Sequence, residues 1–101
     1  MTLTSQNIID MFVSGETNAV SGTKYNPGNV RIKNNQIFHY ETPILERTGD
    51  KYIFNLSRYS LQTSMIQKKI RETINSDRLI VVNGVPKGFE GSLKEYINKE
   101  D

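Results

Sequence analysis

The chain has 101 residues, 36% of them hydrophobic and 24% charged, with 13 basic against 11 acidic side chains. That length holds one domain with a modest core, and the near-balanced charge excludes a polyanion binder that works through its overall positive field. With no cysteine, disulfides and thiolate metal sites are excluded, so packing alone must hold the fold, and a cytoplasmic setting is expected. No apolar run approaches the roughly 20 residues that span a bilayer. The start, MTLTSQNIIDMF, has no positive leader and no small-residue cleavage site, so neither a membrane span nor a secretory signal is expected.

Thr4 or Ser5 caps a first helix that runs to about Val13, with Ile8 and Phe12 four apart on one face and Gly15 at its stop. The stretch SGETNAVSGTKYNPGN, Ser14 to Asn29, has no sustained period and is expected to be a flexible loop. From Val30 the period becomes two. VRIK and QIFHY flank Asn34-Asn35, and Asn tolerates the positive φ that a two-residue hairpin turn requires. This register sets Ile32 opposite Ile37 and Val30 opposite His39, with Arg31 and Phe38 on the other side and Lys33 and Tyr40 nearby. Pro43 marks a strand start or an edge. ILER then leads through Thr48-Gly49-Asp50 into KYIFNL, where Tyr52, Phe54 and Leu56 alternate onto one face of a short antiparallel meander.

The next segment, SRYSLQTSMIQKKIRETI, is amphipathic with a helical period. Ser57 and Ser60 both fit its N-cap, since a serine oxygen accepts a bond from an unpaired N–H of the first turn. Ile66, Ile70 and Ile74 stack on one side, with Ser64, Lys68 and Arg71 roughly opposite. From Ser57 to Ile74 the formal charge is +3, from Arg58, Lys68, Lys69 and Arg71 against Glu72. RLIVV, Arg78 to Val82, is expected to be a buried strand, followed by a turn at Asn83-Gly84. Ser92 and Glu95 match a capping box that opens a short last helix with Leu93, Tyr96 and Ile97 on one side. Residues 99–101 are expected to fray. The fold class is therefore α+β: one domain over 1–101, with an N-terminal helix, an antiparallel meander, one amphipathic helix packed on it and a short C-terminal helix.

The residue types for catalysis are sparse. The single histidine, His39, lies inside a strand, and without cysteine a zinc site would have only His39 and carboxylates to draw on. Nothing in spacing supports a Ser-His-Asp arrangement, and SGETNAVSG lacks the G-K-[ST] ending of a phosphate loop. Tyr59 as a strand-transfer nucleophile lacks the usual metal or basic partners. A non-enzyme without cofactor or metal is expected. Two surfaces are candidates for binding instead. One is the helix face around Arg58, Tyr59, Ser60, Ser64, Lys68 and Arg71, which is otherwise a solvated helix side. The other is Phe38 and Tyr40 flanked by Arg31 and Lys33, either a stacking platform for single-stranded bases or the plain cover of a small sheet.

GNVRIKNNQIFHYETPILER followed by RYSLQTSMIQKKIR resembles a family of small proteins from phages, plasmids and archaeal viruses. The matching positions are Asn29, Ile32, Tyr40, Thr42, Pro43, Ile44, Arg47, Arg58, Tyr59, Ser60, Thr63, Ser64, Gln67 and Arg71, within residues 28–71. Gln62 stands where the family pattern has threonine, and Leu45 where it often has alanine. The resemblance carries no assigned activity. It implies an accessory protein of a mobile element, acting in the host cytoplasm, and it adds Thr63 and Gln67 to the candidate binding residues. The leading expectation is a module that occupies and inhibits a host protein or ribonucleoprotein, a defence effector of the CRISPR–Cas type being one candidate. A chain this far from acidic would not work as a charge mimic of DNA. The alternatives are a regulator that binds DNA or RNA with the basic helix face, and a homo-oligomeric or virion-associated structural protein.

Overall fold

Thr4 opens the first helix, α1 (Ser5–Val13), through a reciprocal cap: its hydroxyl accepts from the Asn7 N–H, and the Asn7 side chain accepts from the Thr4 N–H. Ile8, Ile9 and Phe12 are the buried face of α1. The computed structural model describes residues 2–97, so the expected fraying of 99–101 lies outside the described residues. Five strands follow in an up-and-down run: β1 (Asn18–Gly22), β2 (Pro27–Lys33), β3 (Gln36–His39), β4 (Thr42–Thr48) and β5 (Lys51–Asn55). The second helix, α2 (Leu61–Thr73), then leads to a 3-10 turn (Ser76–Arg78) and β6 (Leu79–Val82), and a last 3-10 turn spans Leu93–Tyr96.

The sheet has six strands in the order β1-β2-β3-β4-β5-β6. The expected hairpin holds in detail: Ile32 pairs with Ile37 and Val30 with His39, and Asn34 takes a φ of 58° at the turn. The stretch expected to be a loop, 14–29, instead contains β1 and the start of β2. NAVSG has one β-branched residue, so its own propensity is weak. Its pairing comes from outside: the β2 backbone on one side and a bridge from Leu3 to Gly22 on the other. Where the register shifts between Val20 and Gly22, the Ser21 hydroxyl accepts from the Val30 N–H. The strands approach so closely there that a Cβ on Gly28 would lie 2.2 Å from that hydroxyl oxygen.

Pro43 is the second residue of β4, at the strand start that was one of the two places expected for it, and the β3–β4 register shifts beside it, so its missing N–H falls at an irregularity of the ladder. The antiparallel meander ends at β5 as expected, and β6 then pairs with β5 in parallel. A helix between two strands returns the chain to the end where it started, which makes the next strand parallel. Leu79–Val82 is less buried than expected: it forms the open edge, and Val81 faces solvent.

Side-chain alternation divides the sheet into two faces. Val30, Ile32, Ile37, Tyr52 and Phe54 point toward both helices and join Ile8, Phe12, Ile66 and Ile70 in the main core. Arg47, half-buried, seals the end of that core. Its guanidinium stacks over the Phe12 ring at 4.5 Å and donates to the Phe12 carbonyl at the C-terminal turn of α1, where a cation meets the negative end of the helix dipole. On the second face, Ile53, Val82, Val85 and Leu93 make a smaller core under the C-terminal segment, with Phe89, Tyr96 and Ile97 against it.

That segment is tied down by a buried carboxylate. Glu46 accepts from Gln36 Nε2 at 2.9 Å, Ser92 Oγ at 2.6 Å and the Leu93 N–H at 2.7 Å. Three donors compensate its lost hydration. The Ser92 hydroxyl also accepts from the Lys94 N–H and so caps the expected short last helix, which is of the 3-10 type over Leu93–Tyr96.

Ile70 is fully buried between α2 and the sheet. Ile70→Ala is expected to cost about 2–5 kcal/mol by transfer and cavity effects, read as a fall in the urea midpoint. A change under about 0.5 kcal/mol, typical of surface sites, would mean that α2 does not pack through this stripe.

Candidate functional site

The segment from Asn55 to Gln67 carries the chain from β5 into α2, and it has an inward and an outward side. Ser60 is the N-cap, with its hydroxyl accepting from the Thr63 N–H at 3.2 Å. Ser57, the other candidate cap, is buried, and its hydroxyl accepts from the Val85 N–H at 2.9 Å. The Tyr59 hydroxyl donates to the Val85 carbonyl at 2.6 Å and accepts from Asn55 Nδ2 at 2.9 Å.

Thr63 and Gln67, both expected on the binding face, are buried. Gln67 Nε2 donates to the Asn55 and Ser57 carbonyls at 2.8 and 3.1 Å, and Thr63 Oγ1 shares hydrogen bonds with His39 Nδ1 at 2.8 Å and Ser60 Oγ at 3.1 Å. They lie on the isoleucine side of α2, since Thr63, Ile66, Gln67, Ile70 and Ile74 fall three or four apart. These two, with Ser57 and much of Tyr59, hold the strand-to-helix junction and are not presented to a partner.

The remaining expected residues, Arg58, Ser64, Lys68 and Arg71, are exposed as the helical spacing predicts, and Ser60 is exposed at the cap. The centre of the outer face is different from the one expected. Leu61, 79% exposed, and Met65, 57% exposed, sit one turn apart and continue into Lys68 and Glu72 at intervals of three and four. Sequence reasoning missed the pair because it followed the charges. The signal was present in LQTSM, where two apolar residues four apart fall opposite the isoleucine stripe.

The second patch lies on the far face of the sheet. Arg31 and Phe38 are cross-strand partners, with the guanidinium 5.8 Å from the ring centroid, and Lys33 is exposed beside them. Tyr40 follows the strand with a φ of 57°, its ring 4.6 Å from the His39 ring and its hydroxyl accepting from Asn29 Nδ2. The two candidate surfaces therefore sit on opposite faces of the sheet and do not converge.

Among the described residues, no group of three or more His, Asp or Glu is arranged to hold a metal ion, and no helix is long and apolar enough to cross a membrane. Set against models of protein families, curated proteins and solved structures, the chain finds no match.

Burial lowers the pKa of His39 from the ordinary imidazole value. The unfolded chain therefore takes up a proton near pH 6.5 that the folded protein resists. Stability is expected to be at its full value above that pH. It should fall as pH drops through 6.5 toward the folded pKa, then level off. Comparing urea midpoints of the protein and His39→Gln over this window isolates the contribution: the variant should lose the slope, and equal slopes would show that His39 does not cause it.

Proposed function

We propose that this chain is a non-catalytic docking module whose outer α2 face binds an acidic surface on another protein. The observation that carries the reading is the exposed Leu61–Met65 pair set among Arg58, Lys68, Lys69 and Arg71. A large apolar side chain left in water on a helix costs hydration without stabilising the monomer, whereas a central apolar anchor ringed by polar groups is the usual anatomy of a protein interface. A surface made only for phosphates needs the cations and not the apolar pair. That contrast favours a protein partner over a nucleic acid on this face.

The resemblance of residues 28–71 to small phage, plasmid and archaeal-virus proteins supports a mobile-element setting. The partner is then a host protein or ribonucleoprotein in the host cytoplasm, with a CRISPR–Cas type defence effector as the candidate class. Inhibition would work through shape and the basic rim, since the chain carries 13 basic against 11 acidic residues and does not mimic DNA.

The test is retention of purified effector complexes on the immobilised protein, together with effector activity in its presence. Leu61→Asp with Met65→Asp is expected to weaken retention by about thirtyfold or more at an unchanged melting temperature, because both side chains are exposed. Lys68→Glu with Arg71→Glu is expected to slow association and flatten its salt dependence. If all four changes leave retention intact, the outer face of α2 is only solvated surface. Loss of duplex DNA retention instead would assign the face to nucleic acid, and loss of a dimer in light scattering would assign it to self-association.

A further inference from the structure

The second face of the sheet carries a groove that the α2 surface does not use. Cavities of about 510 and 400 Å³ open there and share Arg31, Glu41 and Gly88, so they form one trough along β2 and β3. The sheet supplies the floor, with Phe38 half-buried under Arg31, Lys33 toward one end and the exposed Tyr40 toward the other.

The opposite wall is the segment NGVPKGFEG, residues 83–91, which brings in Lys87 and Phe89. This wall is fixed at three points. The Val85 carbonyl accepts from Tyr59 Oη, the Gly88 N–H donates to Thr42 Oγ1 at 2.9 Å, and the Gly91 carbonyl accepts from Gln36 Nε2 at 2.9 Å. Gly84, Gly88 and Gly91 all take positive φ, which lets the strap turn sharply between those anchors.

We infer that this groove binds a short run of single-stranded nucleic acid, with bases on Phe38 and Tyr40 and phosphates along Arg31, Lys33 and Lys87. Cations on the floor and on the strap, with aromatics between them, is the combination that tracks a strand backbone and stacks unpaired bases. An extended peptide has less to gain here. β2 and β3 are each paired on both sides, so no free strand edge lies in the trough for a peptide backbone to join. A duplex hides its base faces and leaves the two rings unused. Glu41 and Glu90 also line the trough, which reduces the charge excess and leaves two acceptors for exocyclic amines of bases. Binding should therefore be modest and salt-sensitive. This reading does not depend on the α2 surface, which lies on the other side of the sheet.

The experiment is fluorescence anisotropy of labelled oligothymidylate, and of a duplex of equal length, at low and physiological salt. The single strand is expected to bind better than the duplex, with a log–log salt slope of about −2 for three neutralised phosphates. Lys87→Glu, on the exposed strap, and Arg31→Glu should each weaken binding about tenfold or more, as should Phe38→Leu with Tyr40→Asn. Leucine keeps an apolar cover at the half-buried position, and asparagine tolerates the positive φ, so melting temperatures should hold. Lys68→Glu with Arg71→Glu should leave binding unchanged. The inference is overturned if the protein fails to bind the single strand at low salt or binds the duplex equally. It is also overturned if Lys87→Glu binds like the parent, or if the α2 reversal removes the binding.

Discussion

The pair of buried amides, Asn55 and Gln67, governs how this chain passes from sheet to helix. As β5 ends, the Asn55 and Ser57 carbonyls lose the sheet, and Gln67 Nε2 reaches back from the second turn of α2 to donate to both. Asn55 completes the arrangement: its Nδ2 donates to the Pro43 carbonyl and the Tyr59 hydroxyl, and its Oδ1 accepts from the Ser57 N–H. No buried side-chain nitrogen or oxygen among the described residues lacks a partner. A polar centre of this kind is costly when half-made, at about 1–3 kcal/mol for each orphaned group, and it specifies one geometry when complete.

Much else follows from that geometry. The fixed exit angle lays the isoleucine stripe of α2 across the sheet, and so decides that Leu61, Met65, Lys68 and Arg71 face outward. The same centre extends through Ser57 and Tyr59 to Val85, so the strap that forms one wall of the far groove is anchored to the junction. Residues that form a motif-like run in the sequence thus divide by direction: those pointing in build the junction, and those pointing out are free to recognise a partner. Two surfaces of different chemistry, apolar with a basic rim on one face and aromatic with a basic floor and strap on the other, are held at once.

Legibility in the sequence tracked how local each cause is. The cap at Thr4, the Asn34-Asn35 turn and its register, and the isoleucine stripe all rest on interactions a few residues apart, and each was readable. β1 was not, because Asn18–Gly22 is a strand only by virtue of β2 and Leu3. The parallel sense of β6, the place of the 83–91 strap over the sheet and the buried Glu46 depend on contacts remote in sequence. Thr63 and Gln67 were misassigned for a different reason: they entered through the motif resemblance, although the helical period puts both on the core stripe. The period was the better guide, and it would also have exposed Leu61 and Met65.

Native-state hydrogen exchange on Gln67→Met tests the junction most directly, since methionine keeps the side-chain length and removes both donors. The Ser57 and Val85 amides, 28 residues apart and both bonded within this centre, are expected to lose protection together, while amides in the middle of α1 change less. If Val85 keeps its protection when Ser57 loses it, or if every amide in the protein loses protection equally, the Asn55–Gln67 pair does not govern the junction.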